Sequence, residues 1–214
     1  MMKMSTSAKG LFISFEGIDG CGKSTQVKLL NDKLVTRGAK VQIVREPGGS
    51  MISEEIRSIL LNPENLTIVP KTEALLMMAS RAQLTKEIIN PLLDNGSHVI
   101  ADRYMDSTLA YQGGGRELSI NDLKMINKFA TDELYPDITF FIDIKPEDAF
   151  NRSKIKFPDR IEGAGLELQS RVRKSYLKLL DEYPKRFFLI DGYDTIDGIH
   201  SLIWHRIINF NHDK

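Results

Sequence analysis

Five short runs rich in β-branched and aromatic residues punctuate the chain: Leu11–Glu16, Lys40–Val44, Ser97–Asp102, Ile138–Ile144 and Phe187–Asp191. In several of them apolar residues sit on consecutive positions instead of alternating, as expected where helices cover both faces of a sheet. Between the runs lie longer stretches with apolar residues near helical spacing: Gly22–Arg37, Met51–Leu61, Thr72–Asp94, Ile120–Thr131, Glu147–Ser153, Gly163–Tyr183 and Ile196–Phe210. Gly38 after the first of these and Asn95-Gly96 after the third are helix stop signals. Strands that alternate with helices predict an α/β fold, a central five-stranded parallel sheet sandwiched between two helical layers. No repeat, low-complexity tract or Pro/Gly/Ser linker divides the chain. The expectation is one domain over residues 10–214, after a short polar tail at 1–9 that frays.

Composition narrows the class. The 214 residues suffice for one ample core. Lys+Arg and Asp+Glu both number 29, so no global basic field favours nucleic acid or an anionic membrane. The single cysteine, Cys21, excludes an internal disulfide framework and suits a reducing compartment. No run approaches the ~18 apolar residues of a membrane span, and residues 1–9 are too short and polar for a secretory signal. A cytoplasmic protein without nucleic-acid or membrane partners is expected. Of the four histidines only His200 and His205 share a predicted helix, at a spacing that is poor for one metal-ligating face.

The chemistry begins at Gly17-Ile18-Asp19-Gly20-Cys21-Gly22-Lys23-Ser24, which fits G-x-x-x-x-G-K-[ST] between a predicted strand and a predicted helix. This is the P-loop arrangement. Its glycines let backbone N–H groups close on phosphate oxygens, the helix N-terminus adds positive potential, and Lys23 adds a point charge. Ser24 offers its hydroxyl to Mg²⁺, and Asp102, at a strand end, either supports that metal through water or pairs with Arg103. Arg45 and Arg103 leave the carboxyl ends of two strands, where open parallel sheets bind ligands. Arg81 lies among apolar neighbours in EALLMMASRAQ, where an isolated guanidinium is costly. Each arginine alone reads as an ion pair; three converging on a P-loop suit a second phosphate or a base edge. The stretch from Ser107 to Arg116, STLAYQGGGR, reads either as a helix ending in a flexible turn or as a base and sugar pocket. The basic segment around 150–163, with Arg152, Lys154, Lys156 and Arg160, is either a solvated face or a lid over the transferring phosphates.

These segments in this order resemble the thymidylate kinase family: FEGIDGCGKST at 15–25, REPGG at 45–49, LLMMASRAQ at 75–83, DRYMDSTLAYQGGGR at 102–116, DRIE at 159–162 and IDG at 190–192. The resemblance runs from about Leu11 to about Phe210. It implies a P-loop kinase that moves the γ-phosphoryl group of ATP to dTMP with Mg²⁺, as a homodimer of the bacterial type. By that resemblance Gly17, Ile18, Asp19, Gly20, Cys21, Gly22, Lys23, Ser24 and Thr25 hold the ATP phosphates, and Ser24 and Asp102 serve the metal. Asp19 contacts the 3′-hydroxyl, Arg45 and Arg103 hold the acceptor phosphate, and Arg81 hydrogen-bonds the thymine. Ser107 and Gln112 read the base edge, and Tyr111 lies against the deoxyribose. Met77 stands where family members commonly carry the Phe that stacks on thymine. Arg152, with Lys23, Arg45, Arg103 and Asp19, completes the expected catalytic set. Cys21, beside a helix N-terminus, is expected to favour its thiolate, so that alkylation inhibits and ATP protects.

Two phosphorylated partners also fit the chemistry. A phosphate monoester has its second pKa near 6, so at pH 7 it is largely dianionic and needs neutralisation and alignment in place of a strong base. A deoxynucleoside kinase has no use for the Arg45–Arg103 pair, which clamps a phosphorylated acceptor. Another nucleoside monophosphate kinase stays open. A GTP switch wants Asn-Lys-x-Asp, whereas Asn127-Lys128 is followed by Phe129-Ala130.

Overall fold

A computed structural model describes residues 9–153 and 159–210. The five predicted runs form strands β1 (Phe12–Glu16), β2 (Val41–Arg45), β3 (His98–Asp102), β4 (Ile138–Asp143) and β5 (Phe187–Asp191). All pair in parallel, in the order β2-β3-β1-β4-β5. The middle strands β1, β3 and β4 are the consecutively apolar ones, and β1 is buried at all five positions. At the rims the pattern opens: Gln42 and Ile43 on β2 and Leu189 on β5 are exposed.

Because side chains alternate across a strand, β1 splits the core in two. Phe12 gathers with Val44, Val99 and Ala101, and with Leu84, Ile89 and Leu93 from the helices on that side. Ile13, Phe15 and Ile100 belong to a larger cluster with Val27, Leu30 and Leu34. Those last three come from α1 (Lys23–Thr36), whose apolar stripe follows helical spacing. After β2 come α2 (Met51–Leu61) and α3 (Pro70–Leu84); α3 continues through a wide π turn at Thr85–Ile89 into α4 (Asn90–Asp94). Ser50 starts α2 with a side-chain cap, accepting from Ser53 N.

The stretch after β3 is not a flexible turn. A short helix, α5 (Met105–Thr108), runs into a π-helical segment over Leu109–Gly115. A Cβ on Gly114 would stand 2.4 Å from Ser175 Cβ and one on Gly115 3.0 Å from Val172 Cγ2, so these two glycines serve close packing against α8 (Gly165–Glu182). Between them in sequence lie α6 (Ile120–Thr131) and α7 (Pro146–Ser153), and α9 (Ile196–Asn209) follows β5. No helix among the described residues is long and apolar enough to cross a membrane. Most of the expected 1–9 tail, and Lys154 and Lys156 of the expected lid, lie outside the described residues.

β1 and β3 are neighbours, yet the chain leaves β1 towards the β2 edge and leaves β3 towards the β5 edge. That reversal leaves a crevice at the carboxyl ends of the strands. The P-loop, Arg45, Asp102 and Arg103 all follow strand ends there.

Candidate active site

A cavity of about 440 Å³ opens over those strand ends. Its walls come from the P-loop (Asp19, Gly20, Gly22, Lys23, Ser24, Thr25), the β2 exit (Arg45, Glu46, Pro47) and α3 (Met77, Arg81). The β3 exit adds Asp102, Arg103, Ser107, Thr108, Tyr111 and Gln112, and Asp159 and Ile161 close one side. Segments separated by up to about 140 positions in the sequence thus meet around one space.

The P-loop is shaped by backbone constraint. Gly20 has φ +83°, and a Cβ there would stand 2.3 Å from Ala149 O, so both conformation and space demand glycine. Gly22 caps α1 in the left-handed conformation without any side-chain bond to the first turn, so no side chain competes with a phosphate for those N–H groups. Lys23 is buried and donates to Gly17 O (3.1 Å) and Ile18 O (3.0 Å), with Asp19 at 3.8 Å. Its hydrogen bonds go to neutral carbonyls, and the one carboxylate nearby, Asp19, stands beyond hydrogen-bond distance.

Ser24 Oγ donates to Asp102 Oδ2 at 2.8 Å, which brings the two expected metal residues together. No group of three or more His, Cys, Asp or Glu among the described residues forms a metal cage. A hydroxyl and one carboxylate, the hard oxygen donors that Mg²⁺ prefers, suit an ion that keeps waters and arrives with nucleotide phosphates.

Arg103 is the hub of the other end. Its backbone has φ +72°, a left-handed conformation that a non-glycine residue rarely adopts. The guanidinium donates to Gly17 O (2.8 Å), Asp19 Oδ1 (2.6 Å) and Tyr111 Oη (2.9 Å), and lies 4.8 Å over the Tyr111 ring. Burial pushes the Asp19 carboxyl up, but Arg103 and then Lys23 outweigh it and hold its pKa at about 2. Asp19 is therefore ionised at any working pH. Arg45 reaches the same cavity from an exposed position and pairs with Glu54 at 2.9 Å. An exposed pair is worth little, so Glu54 holds Arg45 only weakly.

Arg81 lines the cavity, yet its guanidinium is occupied. Nε and Nη2 both donate to Glu46 Oε2 (2.7 and 2.5 Å), Nη1 to Thr108 Oγ1 (2.8 Å) and Asn127 Oδ1 (2.6 Å), and Nη2 to Tyr104 O (3.1 Å). That is all five N–H groups of an arginine. Arg81 is first a buried scaffold for the β2 exit and α5, and a base carbonyl meets it only by sharing a donor. Ser107 gives its proton to Glu16 Oε2 (2.6 Å), so towards a ligand it accepts. Gln112 commits one amide N–H to Glu73 Oε1 (3.0 Å), and Met77 lies on the cavity wall.

Two expectations are corrected. Arg152 does not reach the cavity: its Nη1 donates to Gly192 O at 2.7 Å and its guanidinium lies 5.5 Å over the Tyr193 ring. A carbonyl and an aromatic face hold the cation on the β5–α9 turn. Cys21 is not an activated thiol. It is buried at 2% exposure, and burial outweighs Lys23 and Arg103 in pushing its pKa above the usual thiol value.

Sequence reading missed the carboxylates beneath the arginines. Glu16 accepts from Ser14 Oγ, Tyr104 N, Ser107 Oγ and Tyr176 Oη, and so ties β1 to the β3 exit and α8. Glu46 sits within REPGG, where only the arginine drew notice. Glu73 had a legible signal: it precedes Met77 and Arg81 by four and eight residues, one face of one helix. Asn127, weighed only as part of a guanine signature, is an acceptor for Arg81. Arg57 also lines the cavity and donates to Pro47 O at 2.7 Å.

A family model described as thymidylate kinase matches residues 15–203. A thymidylate kinase of Caldanaerobacter subterraneus subsp. tengcongensis is 49% identical over 195 residues, covering 91% of this chain and 93% of that protein. One from Lactobacillus acidophilus is 47% identical over 196 residues, covering 89% and 90%. The crystal structure of thymidylate kinase from Ehrlichia chaffeensis superposes with a TM-score of 0.77 at 31% identity, covering 93% of this chain and 98% of that one. Nucleotide loop, paired arginines and these similarities agree: the chain belongs to the thymidylate kinase family, and its reaction is the ATP-dependent phosphorylation of dTMP to dTDP.

Proposed function

We propose that the cavity holds its two substrates end to end, ATP phosphates on residues 17–25 and the dTMP phosphate on Arg45 and Arg103. The observation that carries this reading is the position of Arg103, hydrogen-bonded to the P-loop at Gly17 O and Asp19 and facing the same cavity as Lys23 and Ser24. A cation there lies between donor and acceptor phosphates and neutralises both, which lets two anions approach in line. Lys23 leaves its carbonyls for the ATP β/γ oxygens. Asp19, ionised and beside Tyr111, accepts from the 3′-hydroxyl, and the Tyr111 ring crowds the 2′ position. Met77, Ser107 and Gln112 form the base wall. Ser24, with Asp102 through water, would hold the Mg²⁺ that accompanies ATP, and its charge would offset the negative charge of the phosphates.

The protein works in the cytoplasm as a homodimer. The dimer reading is supported by exposed apolar side chains on neighbouring helices, Leu75 on α3 with Met125 and Phe129 on α6, the last 86% exposed.

The experiment compares Mg-ATP-dependent ADP formation with dTMP, dUMP, dCMP, AMP and thymidine. dTMP is expected to have the highest kcat/KM and thymidine to be inert. Turnover of thymidine at a comparable rate would remove the phosphate-clamp roles of Arg45 and Arg103.

A further inference from the structure

We propose that Glu73 is a positioning residue of the acceptor site, one buried carboxylate that sets where the base wall stands. This rests on the reading that Gln112 faces the base. Glu73 is 1% exposed and lies on α3, one turn before Met77. Its Oε1 accepts from Gln112 Nε2 (3.0 Å) and Arg116 Nε (3.2 Å), and its Oε2 from Arg116 Nη2 (3.1 Å) and Arg160 Nη1 (2.7 Å). Two segments far from it in sequence, Gln112–Arg116 and Arg160, therefore converge on it.

Each bond has a structural consequence at the cavity. The Gln112 amide is a two-fold rotor, and with one N–H on Glu73 the flip that would exchange its oxygen and nitrogen is disfavoured. Arg116 fixes the end of the π-helical segment that carries Gln112 and Tyr111. Arg160 is further strapped to α2 through Nε to Leu60 O (2.8 Å) and its own N to Leu61 O (3.2 Å). Its neighbours Asp159 and Ile161 line the cavity. A carboxylate is needed because both oxygens accept, four donors in all, and two of the partners are cations. Burial pushes Glu73 up, but Arg116, Gln112 and Arg160 outweigh it and keep it ionised at neutral pH.

The test is Glu73→Gln, which keeps the shape and turns one acceptor into a donor facing arginines. Steady-state kinetics are read for dTMP and for dCMP at saturating Mg-ATP, and for ATP at saturating dTMP, beside Gln112→Ala and the double variant. The expected result is a rise of about ten-fold or more in KM for dTMP, KM for ATP within two-fold of the parent, and a reduced preference for dTMP over dCMP. Glu73→Asp, which keeps the charge, should recover part of the preference. In the double variant Gln112→Ala should add less than in the parent. If Gln112→Ala alone leaves the preference unchanged, the reading of Gln112 as a base contact is wrong. If Gln112→Ala lowers the preference while Glu73→Gln changes only melting temperature, the positioning role is overturned and Glu73 is structural. Should Glu73→Gln fail to fold, Arg116→Gln removes two of the four bonds at a partly exposed side chain, and the same two outcomes apply.

Discussion

Replacing Arg81 by Met separates scaffold from base reader. In the parent, Arg81 and Glu46 are a buried pair with side chains 1% and 4% exposed. Removing the cation leaves a carboxylate in the interior, and breaking such a pair from one side costs about 3–5 kcal/mol. Thr108 Oγ1, Asn127 Oδ1 and Tyr104 O lose a donor as well, which keeps the loss in the upper part of that range. At roughly 2.1 cal/mol/K per residue, 214 residues give an unfolding entropy of about 0.45 kcal/mol/K, so the melting temperature should fall by about 9–11 °C. The loss should depend on pH. Burial already raises the pKa of Glu46 with Arg81 present, and more so without it. Below the ordinary carboxyl value, folded and unfolded chains both hold the proton and the penalty is absent. As pH rises the unfolded chain ionises first, so the penalty grows until the folded carboxyl also ionises, then levels off. Scanning calorimetry at pH 5 and pH 8 should therefore show the larger gap at pH 8. The double variant Glu46→Met, Arg81→Met should recover at least half of the loss. A melting temperature within 2 °C of the parent at pH 8, with only base preference altered, would refute the scaffold assignment.

Further outcomes follow from single contacts. N-ethylmaleimide should leave native protein active and unlabelled for an hour and label Cys21 only in denaturant; stoichiometric labelling of the folded enzyme within minutes would contradict its burial. Because Asp19 titrates at about 2, its contribution to stability is present above the ordinary carboxyl range and is lost as pH falls from about 4 to 2. The acid limb of the rate profile then belongs to the acceptor phosphate near pH 6, and Asp19→Asn should lower kcat without moving that limb. Gly114→Ala puts a methyl group 2.4 Å from Ser175 Cβ and should cost about 1–3 kcal/mol in urea unfolding, with Gly22→Ala, where space is open but φ is positive, as the contrasting case.

Much of this molecule was legible in one dimension, because the signals concerned are local. Strand positions follow from runs of β-branched and aromatic residues, and the structure moves their ends by one residue at most. The phosphate loop is readable because its chemistry is carried by backbone conformation, and glycine spacing records that directly. What the sequence did not contain is which partner each charge has. Arg81 among apolar neighbours and Arg152 in a basic segment both read as candidate phosphate or base ligands, but one is spent on Glu46, Thr108 and Asn127 and the other on Gly192 and Tyr193. Cys21 lies at a helix N-terminus, which argues for a thiolate, and at 2% exposure, which argues against it; desolvation wins. Glu73 was on the right face of its helix, yet its worth depends on Gln112, Arg116 and Arg160, 39 to 87 positions away. Helix and strand spacing fix which side of an element a residue occupies. Hydrogen-bond partners and the dielectric around a charge depend on elements brought together by the fold, and only the tertiary structure decides those.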